Sequence, residues 1–149
     1  MSLINKINAD LITAMKSKNE NALRATRAIK AALLLLKTEA GGAEISEVAE
    51  IKLLQRLVKQ RKESIEVYSK QNREDLVKTE YDELIIIETY LPKQMSLEEI
   101  ELELKNIIKE SGASEISELG KVMPLALNKF SGKADGKTIS EVLKRLLSA

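Results

Sequence analysis

The chain has no cysteine, no histidine and no tryptophan, and only two prolines and six glycines among 149 residues. Without cysteine there is no disulfide, no thiolate nucleophile and no zinc site of the usual nitrogen and sulfur type. Without histidine, no side chain titrates unaided near neutrality. The aromatic rings are limited to Tyr68, Tyr81, Tyr90 and Phe130, and some of these should serve the core, so rows of base-stacking platforms are not expected. No run approaches the roughly twenty apolar residues of a membrane span. The opening MSLINKINADL lacks the basic head and apolar segment of a secretory signal, so a cytoplasmic protein with no membrane role is the expectation. What is abundant is Leu, Ile, Ala, Glu and Lys; with 44% hydrophobic residues the chain can fill a core, and the composition is that of an all-α bundle.

Helical periodicity supports this throughout. Ser2 can cap a helix carrying Leu3, Ile4, Ile7, Leu11, Ile12 and Met15. A second helix is expected from Ala22 to about Thr38, broken at Gly41 and Gly42. A third, from Ser46 to about Lys70, presents Ile51, Leu54, Val58, Ile65 and Tyr68, and a fourth, capped at Asn72, presents Tyr81, Leu84, Ile85 and Ile87. These last two read as a long antiparallel hairpin. Leu91-Pro92 stops it, because proline supplies no amide hydrogen and forces its predecessor out of the helical region. The domain boundary is placed here, giving an N-terminal unit 1–91 and a C-terminal unit 95–149. Ser96-Leu97-Glu98-Glu99 is a capping box opening the second unit. A segment from Ser114 or Ser117 follows; Pro124 would clash with the carbonyl of Gly120, so a kink or a restarted helix is expected there. Asp135 can cap a last helix burying Ile139, Val142, Leu143, Leu146 and Leu147.

Catalysis would need a carboxylate or buried lysine as base and Ser, Thr, Lys or Asp as nucleophile, and no such arrangement stands out. There is no phosphate loop, no dinucleotide fingerprint and no nucleophile elbow. The run Glu98, Glu99, Glu101, Glu103 sits where a helix dipole favours negative charge and lacks a metal-ligand partner motif. No catalytic residue, metal or cofactor is therefore assigned, and an independent enzyme is not expected.

Charge is unevenly placed. From Leu119 onward six basic residues face two acidic ones, in a chain of net charge +1. An anionic partner follows from that asymmetry. The turn Ser131 to Lys137 admits two readings. Its glycines, flanking lysines and the helix N-terminus at Gly136 suit a phosphate; alternatively it is a capped, solvated turn. The candidate RNA contacts are Lys121, Lys129, Lys133, Gly136, Lys137, Lys144 and Arg145. Secondary basic faces are Arg24, Arg27 and Lys30 on the second helix and Arg56, Lys59, Arg61 and Lys62 on the third. With so few aromatics, such binding would read backbone and shape more than base sequence. Basic and acidic blocks alternate along residues 1–92, which equally fits solvated faces paired within a bundle.

The segments RAIKAALLLLKTE (27–39), LVKQRKESIEVY (57–68), REDL (73–76), YLPKQMS (90–96) and GKVM with SGKADGKTISEVLKRLL together resemble the YqeY-like protein family, end to end. The C-terminal part also resembles the tail domain of the B subunit of glutamine-dependent tRNA amidotransferase. The resemblance implies a long-helix N-terminal domain, a small C-terminal helical domain of the GatB/YqeY type, and a link to tRNA. Any carbon-nitrogen ligase activity would be inherited by family, since neither the subunit's kinase-like cradle nor the amidase partner is represented. Three functions remain open: an accessory module binding tRNA or another structured RNA, a helical adaptor docking an amidotransferase subunit or an aminoacyl-tRNA synthetase without RNA contact, and an amidotransferase component acting only in a complex.

Overall fold

The computed structural model describes residues 2–148. Among them are seven α-helices, one 3-10 turn and no strand, an all-α protein as its composition implies. Two compact units divide the chain at Leu91/Pro92.

The N-terminal unit comprises α1 (Leu3–Ser17), α2 (Glu20–Glu39), α3 (Glu47–Lys70) and α4 (Glu74–Glu88). Ser2, Asn19 and Ser46 each accept a hydrogen bond from the amide three residues on, satisfying donors that the first turn leaves free. The second helix thus starts slightly earlier than its apolar pattern suggests, at the Asn19 cap. Gly41 and Gly42 end it with φ of +69° and +84°, a conformation costly for other residues. Helices α3 and α4 form the expected hairpin, and α2 packs on α4. Ile7, Ala25, Ile29, Leu33, Leu53, Leu54, Leu57, Val58, Leu84 and Ile87 make the core.

Two details depart from expectation. Asn72 does not cap α4: it adopts a left-handed φ of 57°, which asparagine tolerates, and Arg73 is the boundary residue. The Arg73 guanidinium instead grips Asp75 at 3.0 and 3.1 Å. Helix α4 is also rotated from the expected stripe, burying Glu83, Leu84 and Ile87 while Tyr81 and Ile85 face solvent.

The C-terminal unit comprises α5 (Leu97–Ser111), the 3-10 turn Ile116–Glu118, α6 (Leu119–Lys129) and α7 (Gly136–Ser148). Their inner faces enclose a separate core of Ile100, Leu104, Ile107, Val122, Ala126, Phe130, Ile139, Val142, Leu143 and Leu147. Helix α6 neither stops nor restarts at Pro124, which lies inside it. Its start is set by the 3-10 turn, where the Glu118 carboxylate accepts from the amides of Ser114 and Glu115. Those amide bonds hold the Glu118 carboxyl below the usual carboxylate range.

A candidate nucleic-acid interface

The turn joining α6 to α7 is held by short local bonds. Lys133 and Ala134 donate their amides to the Phe130 carbonyl at 2.8 and 3.2 Å. Gly132 takes a φ of +76°. Phe130 and Ala134 are buried, whereas Lys133, Asp135 and Lys137 are exposed. The turn therefore anchors two apolar side chains and displays its charges. Asp135 accepts the Lys137 amide through its carboxylate at 3.4 Å and the Ile139 amide through its carbonyl at 3.0 Å. Its charge is thus engaged by the start of α7.

The seven C-terminal candidates are not equivalent. Lys129 pairs with Glu103 at 3.1 Å and Arg145 with Glu101 at 3.4 Å. The Lys121 ammonium donates to the Ser111 carbonyl at the end of α5, at 3.3 Å. Lys133, Lys137 and Lys144 carry no such partner among the described residues and are exposed. Gly136 is half-buried at the first position of α7. The acidic run on α5 thereby acquires a role: Glu101 and Glu103 neutralise basic residues of the neighbouring helices.

In the N-terminal unit, Arg24 of α2 and Arg61 of α3 converge on Glu83 of α4, at 3.1 and 3.0 Å, and Arg61 also reaches Glu80 at 3.5 Å. Burial raises the Glu80 carboxyl above its ordinary range, partly opposed by Arg61 and reinforced by Glu83. These two arginines knit helices together. Arg27, Arg56, Lys59 and Lys62 remain exposed, and Lys30 is half-buried.

One cavity, of about 470 Å³, lies within the C-terminal unit and is lined by Lys93, Gln94, Met95, Glu99, Leu102, Glu103, Lys129, Phe130 and Lys133. Its wall is fastened by backbone and amide bonds. The Gln94 side chain donates to the carbonyls of Pro92 and Gly132, both at 2.8 Å, and the Met95 amide donates to the Lys133 carbonyl at 2.9 Å. Lys93 and Gln94 carry no functional signal in the sequence beyond the YLPKQMS motif. That motif was the signal: its Gln94 ties the interdomain segment to the glycine turn. The Ser96 capping box is only half formed. Ser96 accepts the Glu99 amide at 3.1 Å, but the Glu99 carboxylate makes no hydrogen bond or ion pair among the described residues and lines the cavity instead. The described residues include no acidic cluster suited to a metal ion, and no helix among them is long and apolar enough to cross a membrane.

The family model described as Yqey-like protein matches residues 4–147. Among curated proteins, the chain is 34% identical over 103 residues to "Altered inheritance of mitochondria protein 41, mitochondrial" of Lachancea thermotolerans, covering 68% of this chain and 55% of that protein. It is 30% identical over 146 residues to the protein of the same name from Pyrenophora tritici-repentis, covering 97% and 80% respectively. The chain thus spans about half the length of the first relative, 55%, and most of the second. These relatives are named as mitochondrial, which overturns the cytoplasmic expectation. That expectation rested on lacking a secretory signal and a membrane span, and such features do not separate one aqueous compartment of the cell from another.

Proposed function

The chain belongs to the YqeY-like protein family, and we propose that it is an accessory protein that binds tRNA or a similarly structured RNA through its C-terminal unit. The observation that supports this most directly is the hydrogen-bonded α6–α7 turn, which displays Lys133 and Lys137 while Asp135 is engaged in the cap. Two unpaired ammonium groups beside a helix start, whose Lys137 amide is taken by Asp135, form a surface for backbone phosphates. Lys144 extends it, and Lys129, Arg145 and Lys121 contribute only as far as RNA phosphates can compete with Glu103, Glu101 and the Ser111 carbonyl. The link to tRNA-dependent amidation comes from the likeness to the amidotransferase tail, and the chemistry of amide transfer would then belong to a partner.

The test is salt-dependent binding of a tRNA transcript. Replacing Lys133 and Lys137 together by Ala should weaken binding similarly across RNA sequences and reduce the slope of log affinity against log salt by about one to two. Helicity should be unchanged. Equal affinity for wild type and the double variant at low and moderate salt would return the turn to a solvated cap. An adaptor role has its own support in the adjacent exposed residues Leu34 (49%) and Leu35 (58%) of α2. Binding of a synthetase or amidotransferase subunit that Leu34→Glu abolishes, with no RNA affinity, would favour that reading.

A further inference from the structure

The cavity beside the turn has a chemistry that an open phosphate surface does not need. Lys93 and Lys133 stand on two backbone segments laced to each other by the Gln94 and Met95 bonds, so the backbone positions that carry them are held relative to one another while their exposed side chains remain free to close on an anion. Helix α5 contributes a different set: Leu102, 62% exposed, between Glu99 and Glu103. Glu103 is neutralised by Lys129, while Glu99 is an unspent hydrogen-bond acceptor released from the capping box. The space is an open groove, since Lys93, Glu99, Leu102 and Lys133 are all exposed, and its volume of about 470 Å³ can admit a ligand of nucleotide size with one side left to solvent.

We infer that this cavity receives a single unpaired nucleotide, with its phosphate at Lys93 and Lys133, its base against Leu102 and Met95, and the base's exocyclic amino group donating to Glu99. The inference rests on the RNA reading above and deepens it, since Lys133 belongs to both surfaces. A nucleotide has one anionic end and one neutral, amino-edged end, matching a basic rim joined to an acceptor wall. An acidic peptide would set its carboxylates against Glu99 and Glu103. The arrangement discriminates among bases: adenine, cytosine and guanine carry an exocyclic amino donor for Glu99, whereas uracil has none and offers only its N3–H between two carbonyls that a carboxylate repels.

Methyl NMR on Met95 and Leu102 of the full chain, titrated with AMP, CMP, UMP and adenosine, tests this. AMP and CMP should shift both methyl sets saturably, with UMP roughly tenfold weaker for loss of one charge-assisted hydrogen bond. Adenosine should bind more weakly than AMP, and Lys93→Ala should remove that difference in part. Glu99→Gln, which keeps an acceptor and adds a donor, should admit UMP and erase the discrimination, an effect that mere structural damage does not produce. If tRNA binds but no mononucleotide moves Met95 or Leu102, or if UMP and CMP bind alike, the inference fails while the RNA reading stands. If AMP and CMP saturate the cavity but tRNA does not bind, the RNA reading fails and the pocket serves free nucleotides. Displacement of AMP by a short Glu- and Leu-rich peptide of higher affinity would assign the cavity to a protein partner and overturn the inference.

Discussion

Glu83 is the only buried charged side chain among the described residues, and its environment explains why it is tolerated. Each carboxylate oxygen accepts from a different arginine, so the charge is paired on both sides. The side chains of Glu83 and Arg61 are 12% and 17% exposed, against 39% for Arg24. Removing Glu83 would let Arg24 rehydrate and leave Arg61 only its longer contact with Glu80, at 3.5 Å. Glu83→Ala should therefore destabilise the N-terminal unit by about 2 kcal/mol, and Glu83→Gln by less because one acceptor remains. Urea titration with an unchanged slope checks both values. Nothing in the sequence marked Glu83, because it sits among other acidic residues on a helix whose buried face is decided by the α2 and α3 partners. Tyr90 gives a second residue-level outcome. Burial and then its hydrogen bond to Asp10 raise the phenol above its ordinary value. A raised folded pKa favours the protonated form, so the stabilisation is full below about pH 10 and disappears as pH rises through the folded value. The alkaline loss of stability should be smaller in Tyr90→Phe, measured by denaturation across that range.

At the scale of elements, legibility followed the range of the forces involved. The caps at Ser2 and Ser96 need only their own first turn, and each is present where the local pattern puts it. The Asp135 start of α7 and its buried Ile139, Val142, Leu143 and Leu147 were equally legible, because amphipathicity fixes which side of a terminal helix faces inward. The rotation of α4 depends on neighbours distant in sequence. Helix α6 shows tertiary packing overriding a local penalty: Val122 and Ala126 are buried on either side of exposed Pro124, and their burial holds the helix through the residue that opposes it. Proline there costs the bond to the Gly120 carbonyl, yet contributes little burial. Pro124→Ala should stabilise the C-terminal unit by about 1–2 kcal/mol, less than the full helix-interior penalty because the fold has already adapted. A thermal melt that does not rise would show the proline to be favourable where it stands.

For the molecule as a whole, the useful fact is that each unit encloses a core drawn from its own residues: 7 to 87 in one, 100 to 147 in the other. The candidate RNA surface and the cavity both belong to the C-terminal unit, including Lys93 and Gln94 ahead of its first helix. A unit this small is held by few buried side chains, so each carries a large share of the stability. Leu143 is fully buried within the C-terminal core, and Leu143→Ala leaves a cavity costing about 3 kcal/mol. Residues 92–149 expressed alone should melt cooperatively with helical circular dichroism and retain the tRNA affinity of the full chain, and Leu143→Ala should abolish both. Ile29→Ala, in the other core, should destabilise the N-terminal unit of the full chain while leaving nucleotide shifts at Met95 and Leu102 in place. If the isolated segment is unfolded, or if Ile29→Ala removes those shifts, the two cores depend on one another and the binding function cannot be assigned to the C-terminal unit alone.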